Sequence, residues 1–434
     1  MRISELPVQS WPIWQRILFR FFFIFYCVFI GPWFFLSVIP TSPFVLKYLD
    51  QGVNAISLFL NKLLFHIPPA TKPPNGNGDY PEEWMLVAAC TFLAAVGCVL
   101  WSVADRRRKE YYKLNYWFSL AIRYFIILTG FSYGILKMFR LQMPFPNLSQ
   151  LATPLGDYLP MRFSWMFIGY SSPYQFFSGG LEVLAAVLLL FRKTATLGVL
   201  VATGVFFNVM MLNLSYDIPV KINSISLVVM CLYLLVQELP RLYRFFFLQQ
   251  ASPSHIFVFP FKTKRNRRIA TAAKWAFVFL ALYGEFHNSI TRMNQLAKRK
   301  MPAPLSAGIY DVIVHTKMGD TITLNMPDSV FWQNLVLDRG YEGSIKTTDS
   351  RFRQRYGRSY FNFEIDSSTK LLSLKRTIMD SVFLAQFTYH IKDSALVELY
   401  SYPSRDSMYL LLRRRTMPFS LSERAFHWVS ETNR

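Results

Sequence analysis

The sequence is short of the residues on which most soluble chemistry depends. Among 434 residues there are four cysteines. Cys27, Cys90, Cys98 and Cys231 all fall in apolar runs, and none stands in a C-x-x-C spacing. That excludes a disulfide framework and leaves the thiols as small apolar packers. The six histidines (His66, His255, His287, His315, His390 and His427) are scattered, with no pair at the helical spacing of a haem or metal site. Acidic residues are also few, 26 against 47 lysines and arginines. No dinucleotide fingerprint, P-loop, nucleophile elbow or catalytic triad pattern is present. Gly76-x-Gly78-Asp79 has no strand before it and reads as a turn. No cofactor is evident, so an enzyme built on this chain would borrow one, such as a quinone, from the membrane or a partner.

Apolar residues, by contrast, are abundant. They make up 52% of the chain and aromatics 17%. Runs long enough to cross a hydrocarbon core of about 30 Å recur along it. The periodicity predicts about seven spans, near residues 17–39, 84–103, 117–139, 173–191, 195–214, 222–239 and 272–290. The first is longer than the apolar core of a signal peptide and lacks a small-x-small cleavage site. Residues 44–66 have the spacing of an amphipathic surface helix. Residues 163–170 are apolar but too short to span, which suits a re-entrant or interfacial segment.

The net charge of +21 does not point to nucleic acid. Arg106 to Lys109, Arg192-Lys193 and Lys262 to Arg268 flank apolar runs, as topology signals do. They place the N-terminus in the cytoplasm and, with an odd number of spans, the C-terminal region outside. The Pro/Gly-rich stretch 68–79 is an outer loop.

From about residue 305 the pattern changes to short runs with strand alternation. Candidate strands lie at 310–316, 321–326, 330–337, 360–365, 371–375, 382–391, 396–400 and 408–412, with turn chemistry at 366–369 and 392–394. This spacing predicts a small β-barrel or sandwich. The fold class is therefore a polytopic α-helical membrane protein with a C-terminal all-β extracytoplasmic domain. Its regions are 1–116 (two spans and the outer loop), 117–240 (a four-helix core), 241–300 (a basic loop and the last span) and 301–434 (the β domain).

Charged residues inside apolar runs are costly, about 2.5–3.5 kcal/mol each at a helix centre, and mark sites or partners. On a helical wheel Arg123, Gly130, Gly134 and Lys137 share an arc of roughly 60°. Glu182, in the next run beside Gly179-Gly180, is the partner expected for Lys137. Such a pair serves either as a proton- or ligand-binding site or as a structural ion pair that fixes helix register. Arg123 lies near the cytoplasmic end, where a snorkelling side chain is the simpler reading. Asn208, Asn213, Tyr216, Asp217, Lys221 and Asn223 form a second cluster around a turn set by Pro219. It is either part of one outward-opening polar pocket with Lys137 and Glu182 or a solvated hairpin turn. Glu285 and His287 in the last span read as packed or interfacial.

Arg123, the Gly130–Gly134–Lys137 series, Gly180-Leu181-Glu182 and Arg192-Lys193-Thr194-Ala195 together resemble the four-helix core of DoxX-like membrane proteins, over residues 117–236. That resemblance implies a fold, residence in a bacterial cytoplasmic membrane and, for one branch of the group, a membrane subunit of a quinone-linked oxidoreductase. A fainter similarity is to the membrane part of vitamin K-dependent carboxylase-like proteins, which also precedes a β-rich domain. Two functions follow as expectations. One is an accessory or scaffold protein, embedded in the lipid bilayer, whose β domain binds a ligand or a protein partner. The other is a quinone-linked oxidoreductase subunit in which Lys137, Glu182 and Asp217 manage protons.

Overall fold

A computed structural model describes residues 10–31, 43–68, 78–251, 263–299, 303–323, 330–403, 408–416, 419–423 and 428–429. The chain divides into two compact units, one of residues 1–142 and 172–290, the other of residues 143–171 and 291–434.

The first unit is helical. Its helices are α1 (Ile13–Phe29), α2 (Pro43–Leu60), α3 (Pro81–Ala104) and α4 (Tyr112–Met138). After the second unit's short α5 (Leu148–Leu151) and α6 (Pro160–Tyr170) come α7 (Ser172–Leu190), α8 (Ala195–Ser215), α9 (Lys221–Phe246) and α10 (Lys264–Ala297). Among the described residues six helices, α3, α4 and α7 to α10, are long and apolar enough to cross a membrane. The protein is thus an integral membrane protein by the length and composition of its helices. The first expected span, 17–39, coincides in part with the 17-residue α1; residues 32–42 lie outside the described residues.

Helices α4, α7, α8 and α9 pack each on the next, and α9 returns to α4, which closes a four-helix bundle. Ile126, Ile127, Phe131, Ala186, Leu189, Ala202 and Met230 fill its core. Helix α1 adds an aromatic layer, with Phe19 and Tyr26 buried against Tyr111 and Phe118. Helix α2 lies against α3 through Val53 and Leu60, while Leu58 and Phe59 are exposed, as an amphipathic helix requires.

The second unit is built on ten antiparallel strands: β1 (Gly308–Lys317), β2 (Asp320–Thr321), β3 (Asn334–Leu337), β4 (Glu342–Ile345), β5 (Arg353–Arg355), β6 (Arg358–Asp366), β7 (Leu371–Lys375), β8 (Phe383–Ile391), β9 (Leu396–Ser401) and β10 (Met408–Arg414). Eight of them run β1-β3-β4-β6-β7-β8-β9-β10, and β10 pairs back onto β1 from Tyr310–Arg414 to Lys317–Met408. The result is an up-and-down barrel; β2 and β5 are short side strands. The sequence predicts neither β4 nor β5. The period-2 alternation sends Phe361, Phe363, Leu372, Leu374, Phe387, Leu399, Leu410 and Leu412 inward. Trp332 packs edge-on against Phe352 and Phe387. An eight-stranded barrel has an interior that side chains alone can fill, and these fill it.

Residues 143–171 cover one outer wall of this barrel. The Leu148 amide donates to Asp338 Oδ2 at 2.9 Å, and Ser344 Oγ donates to Ser149 Oγ at 2.7 Å. Between them lies Arg358, fully buried. It donates to Ser344 Oγ at 2.8 Å and Asn334 Oδ1 at 2.7 Å. Burial pushes its guanidinium down to about 10, which leaves it charged at neutral pH.

His315 on β1 is buried, and its Nδ1 accepts the Trp332 amide at 3.4 Å. Burial first, and then the Lys317 charge, push this imidazole down from 6.5 to about 4. The folded barrel therefore holds the neutral ring where the unfolded chain would bind a proton. Stability should be flat above pH 6.5 and fall as the pH drops toward about 4. Thermal unfolding followed across that window should show the slope in the native chain and lose it in His315→Gln.

Candidate functional site

The charged residues of the helical unit are placed by glycine. Helices α4 and α7 meet so closely that a Cβ on Gly134 would lie 2.8 Å from the Gly179 carbonyl oxygen, and one on Gly179 only 2.5 Å from that of Gly134. No side chain fits there, and the two backbones touch. One turn further along α4, Lys137 reaches α7 and its Nζ donates to Glu182 Oε1. Both residues are buried, at 6% and 1% exposure. The second carboxylate oxygen, Glu182 Oε2, is buried with no hydrogen-bond partner among the described residues. The arrangement is an ion pair between two helices, with one carboxylate oxygen unpartnered among the described residues. Chemically it can take a proton or a donor at Oε2; mechanically it locks the register of α4 on α7.

Arg123 belongs to the opposite end of α4, about 21 Å along the axis at 1.5 Å per residue. Tyr124, Arg192, Tyr116 and Lys274 are among its charged and phenolic neighbours. Arg192 Nη2 donates to Tyr116 Oη at 3.1 Å, and Lys274 on α10 donates to the Leu190 carbonyl at the end of α7. This end of the bundle is cationic and aromatic, as at a membrane–water boundary.

The second cluster is a closed turn. Lys221 Nζ donates to Asp217 Oδ1 at 2.7 Å and lies 3.8 Å from Asp79 Oδ2. Asp79, from the loop just before α3, accepts the first two amides of α9: Lys221 at 2.6 Å and Ile222 at 3.0 Å. It caps that helix from 142 positions away. The Gly78 amide completes the clasp by donating to the Pro219 carbonyl at 2.9 Å. Asn213 is buried and its carbonyl accepts Ile218, whereas Asn208 is exposed on α8. Among the described residues no hydrogen bond or ion pair joins this turn to Lys137 and Glu182. The structure thus brings the predicted site residues together as two pairs, Lys137 with Glu182 and Lys221 with Asp217, and leaves Arg123 and Asn208 apart from both.

Two features were not anticipated from the sequence. Arg20, in the first apolar run, is buried at 4% exposure. It donates to Tyr111 Oη at 2.7 Å and Ser102 Oγ at 2.7 Å, while Tyr111 Oη donates to Asp105 Oδ2 at 2.9 Å. Only the arginine's place in an apolar run could have signalled this. The other feature is a cavity of about 240 Å³ between α1, α3 and α9. Phe21, Phe25, Tyr26, Trp84, Ser226 and Val229 are among its lining residues. It is apolar but for a few hydroxyls, and Ser226 Oγ has no partner among the described residues. Among the described residues no group of three His, Cys, Asp or Glu side chains comes together to hold a metal.

No family model matches the chain, and no solved structure does. A relative from Bacillus subtilis (strain 168), named as uncharacterized protein YwoB, is 46% identical over 72 residues, which are 17% of this chain and 47% of the relative. The chain thus spans about half the length of the curated relative it matches, and that name carries no activity.

Removing one member of the Lys137–Glu182 pair leaves the other buried and uncompensated, so Lys137→Met should destabilise the helical unit by about 3–5 kcal/mol. Lys137→Met/Glu182→Leu should recover much of that loss. Additive single and double effects in a membrane-unfolding titration would show that the two side chains are not coupled.

Proposed function

We propose that the protein is a membrane-embedded accessory or scaffold protein of the DoxX-like type, whose barrel domain binds a protein partner. The observation that carries this reading is the filled barrel: with aromatic and aliphatic side chains occupying the interior, recognition falls to the outside. The β7–β8 loop offers such a surface. Ile378, Met379 and Val382 are exposed there, Met379 at 91%, beside Lys375 and Arg376. Large apolar side chains so displayed mark contact surfaces. The DoxX-like part of the reading is supported by the closed bundle of α4, α7, α8 and α9 and by Gly134 at its closest helix contact. In this reading the Lys137–Glu182 pair fixes that contact. The flanking basic clusters support an outer-face barrel in a cytoplasmic membrane as part of this reading.

The cavity between α1, α3 and α9 favours a second reading, the quinone-linked oxidoreductase subunit. An aromatic-walled space among the helices, with Ser226 Oγ unpartnered among the described residues, suits a quinone ring entering from the lipid.

A photo-crosslinker at Met379, activated in native membranes, should yield a discrete protein adduct, and Ser394→Cys should react with an impermeant maleimide from outside intact cells. A chain that gives no adduct and purifies alone with stoichiometric quinone would displace the scaffold reading in favour of the second.

A further inference from the structure

The segment between α4 and α7 presents an exposed apolar face among the described residues. Pro160, at the first helical position, starts α6. Ser164, Ile168 and Gly169 are the buried side of that helix. Gly169 is seated so tightly that a Cβ would lie 2.6 Å from the Pro144 carbonyl oxygen, which fixes the rotation of the helix about its axis. The opposite side carries Phe163, Phe167 and Tyr170, exposed at 41%, 70% and 39%. At about 100° per residue these three share an arc of roughly 60°. Leu155 and Leu159, in the turns just before, are exposed as well and extend the apolar stripe. A water-facing helix would carry the reverse pattern.

What covers the stripe follows from its place in the chain. Helix α4 ends at Met138 and α7 begins at Ser172, and both are membrane-crossing by length and composition. The 33 residues between their helical ends therefore leave and re-enter the bilayer on one face and cannot travel far from it. We propose that α6 lies in the membrane interface with Phe163, Phe167 and Tyr170 sunk into the boundary of headgroups and acyl chains. Interfacial helices bury their apolar face to about 5–10 Å. The occupant of the stripe is lipid, not a protein.

The other side of the same segment is bolted to the barrel wall. Beyond the Leu148, Ser149 and Arg358 contacts, Arg162 lies over the Tyr356 ring at 5.8 Å, and Tyr158 packs on Tyr356 at 5.4 Å. The segment is thus fixed to the barrel on one side and, under this proposal, to lipid on the other.

The test uses the full chain with Cys27→Ser, since Cys90, Cys98 and Cys231 are buried and Cys27 is exposed. Phe163→Cys, Phe167→Cys and, should either fail to fold, Leu159→Cys are labelled with an environment-sensitive fluorophore and reconstituted into phosphatidylcholine–phosphatidylglycerol vesicles. Ser394→Cys in the exposed β8–β9 turn is the aqueous control. Labels on the stripe should be quenched by lipid carrying a shallow doxyl group about two-fold more than the control, and protected from iodide. Iodide quenching equal to that at position 394 would place the stripe in water and overturn the proposal. Protection from both quenchers would show a protein over the stripe and overturn it equally.

Discussion

The contact of α4 with α7 at Gly134 and Gly179 is the constraint from which the helical unit is organised. With no hydrophobic force to drive apolar helices together in lipid, association depends on packing and polar bonds. Two glycines let the backbones touch, and this brings Lys137 within reach of Glu182. Each charge would be costly alone in a bilayer; paired, each offsets much of the other's desolvation. Glu182 Oε2 has no partner among the described residues, so the register the pair imposes is won at some expense in stability.

The same logic of locally satisfied polar groups runs through the unit. Asp79 takes up amides that the start of α9 would otherwise leave bare, and Arg20 spreads its guanidinium over Tyr111, Ser102 and the Asp105 carbonyl. Asp79 serves the start of α9, and Arg20, midway along α1, serves the C-terminal end of α3; in both places the protein supplies partners for backbone groups that a helix end leaves open. Lys274 at the Leu190 carbonyl does the corresponding task at a helix C-terminus, where a cation also matches the dipole.

How much of this could be read in advance depends on range. Apolar runs of span length are local, and so the membrane helices are visible in the sequence. Lys137 and Glu182 are visible because a charge in such a run stands out and helical geometry says which glycines share its face. The alternating strands are legible for the same local reason, but Glu342-Gly343-Ser344-Ile345 has no alternation and becomes β4 only because β3 and β6 flank it. Arg358 looks like one more surface cation until residues 143–171, far away in sequence, close over it. The role of that segment, the Asp79 clasp and barrel closure all rest on pairings across tens to hundreds of residues, which carry no local periodic mark.

Closure of the barrel by β10 on β1 has a consequence for recognition. A sheet with an open edge invites a foreign strand to continue its hydrogen-bonded ladder, and many binding modules work in that way. Here the ladder of the eight barrel strands is complete, and the side strands β2 and β5 are two and three residues long. Neither offers a useful template. Any partner of this domain would be read through side chains projecting from loops and walls, so its specificity would drift with surface residues while the backbone frame stays unchanged.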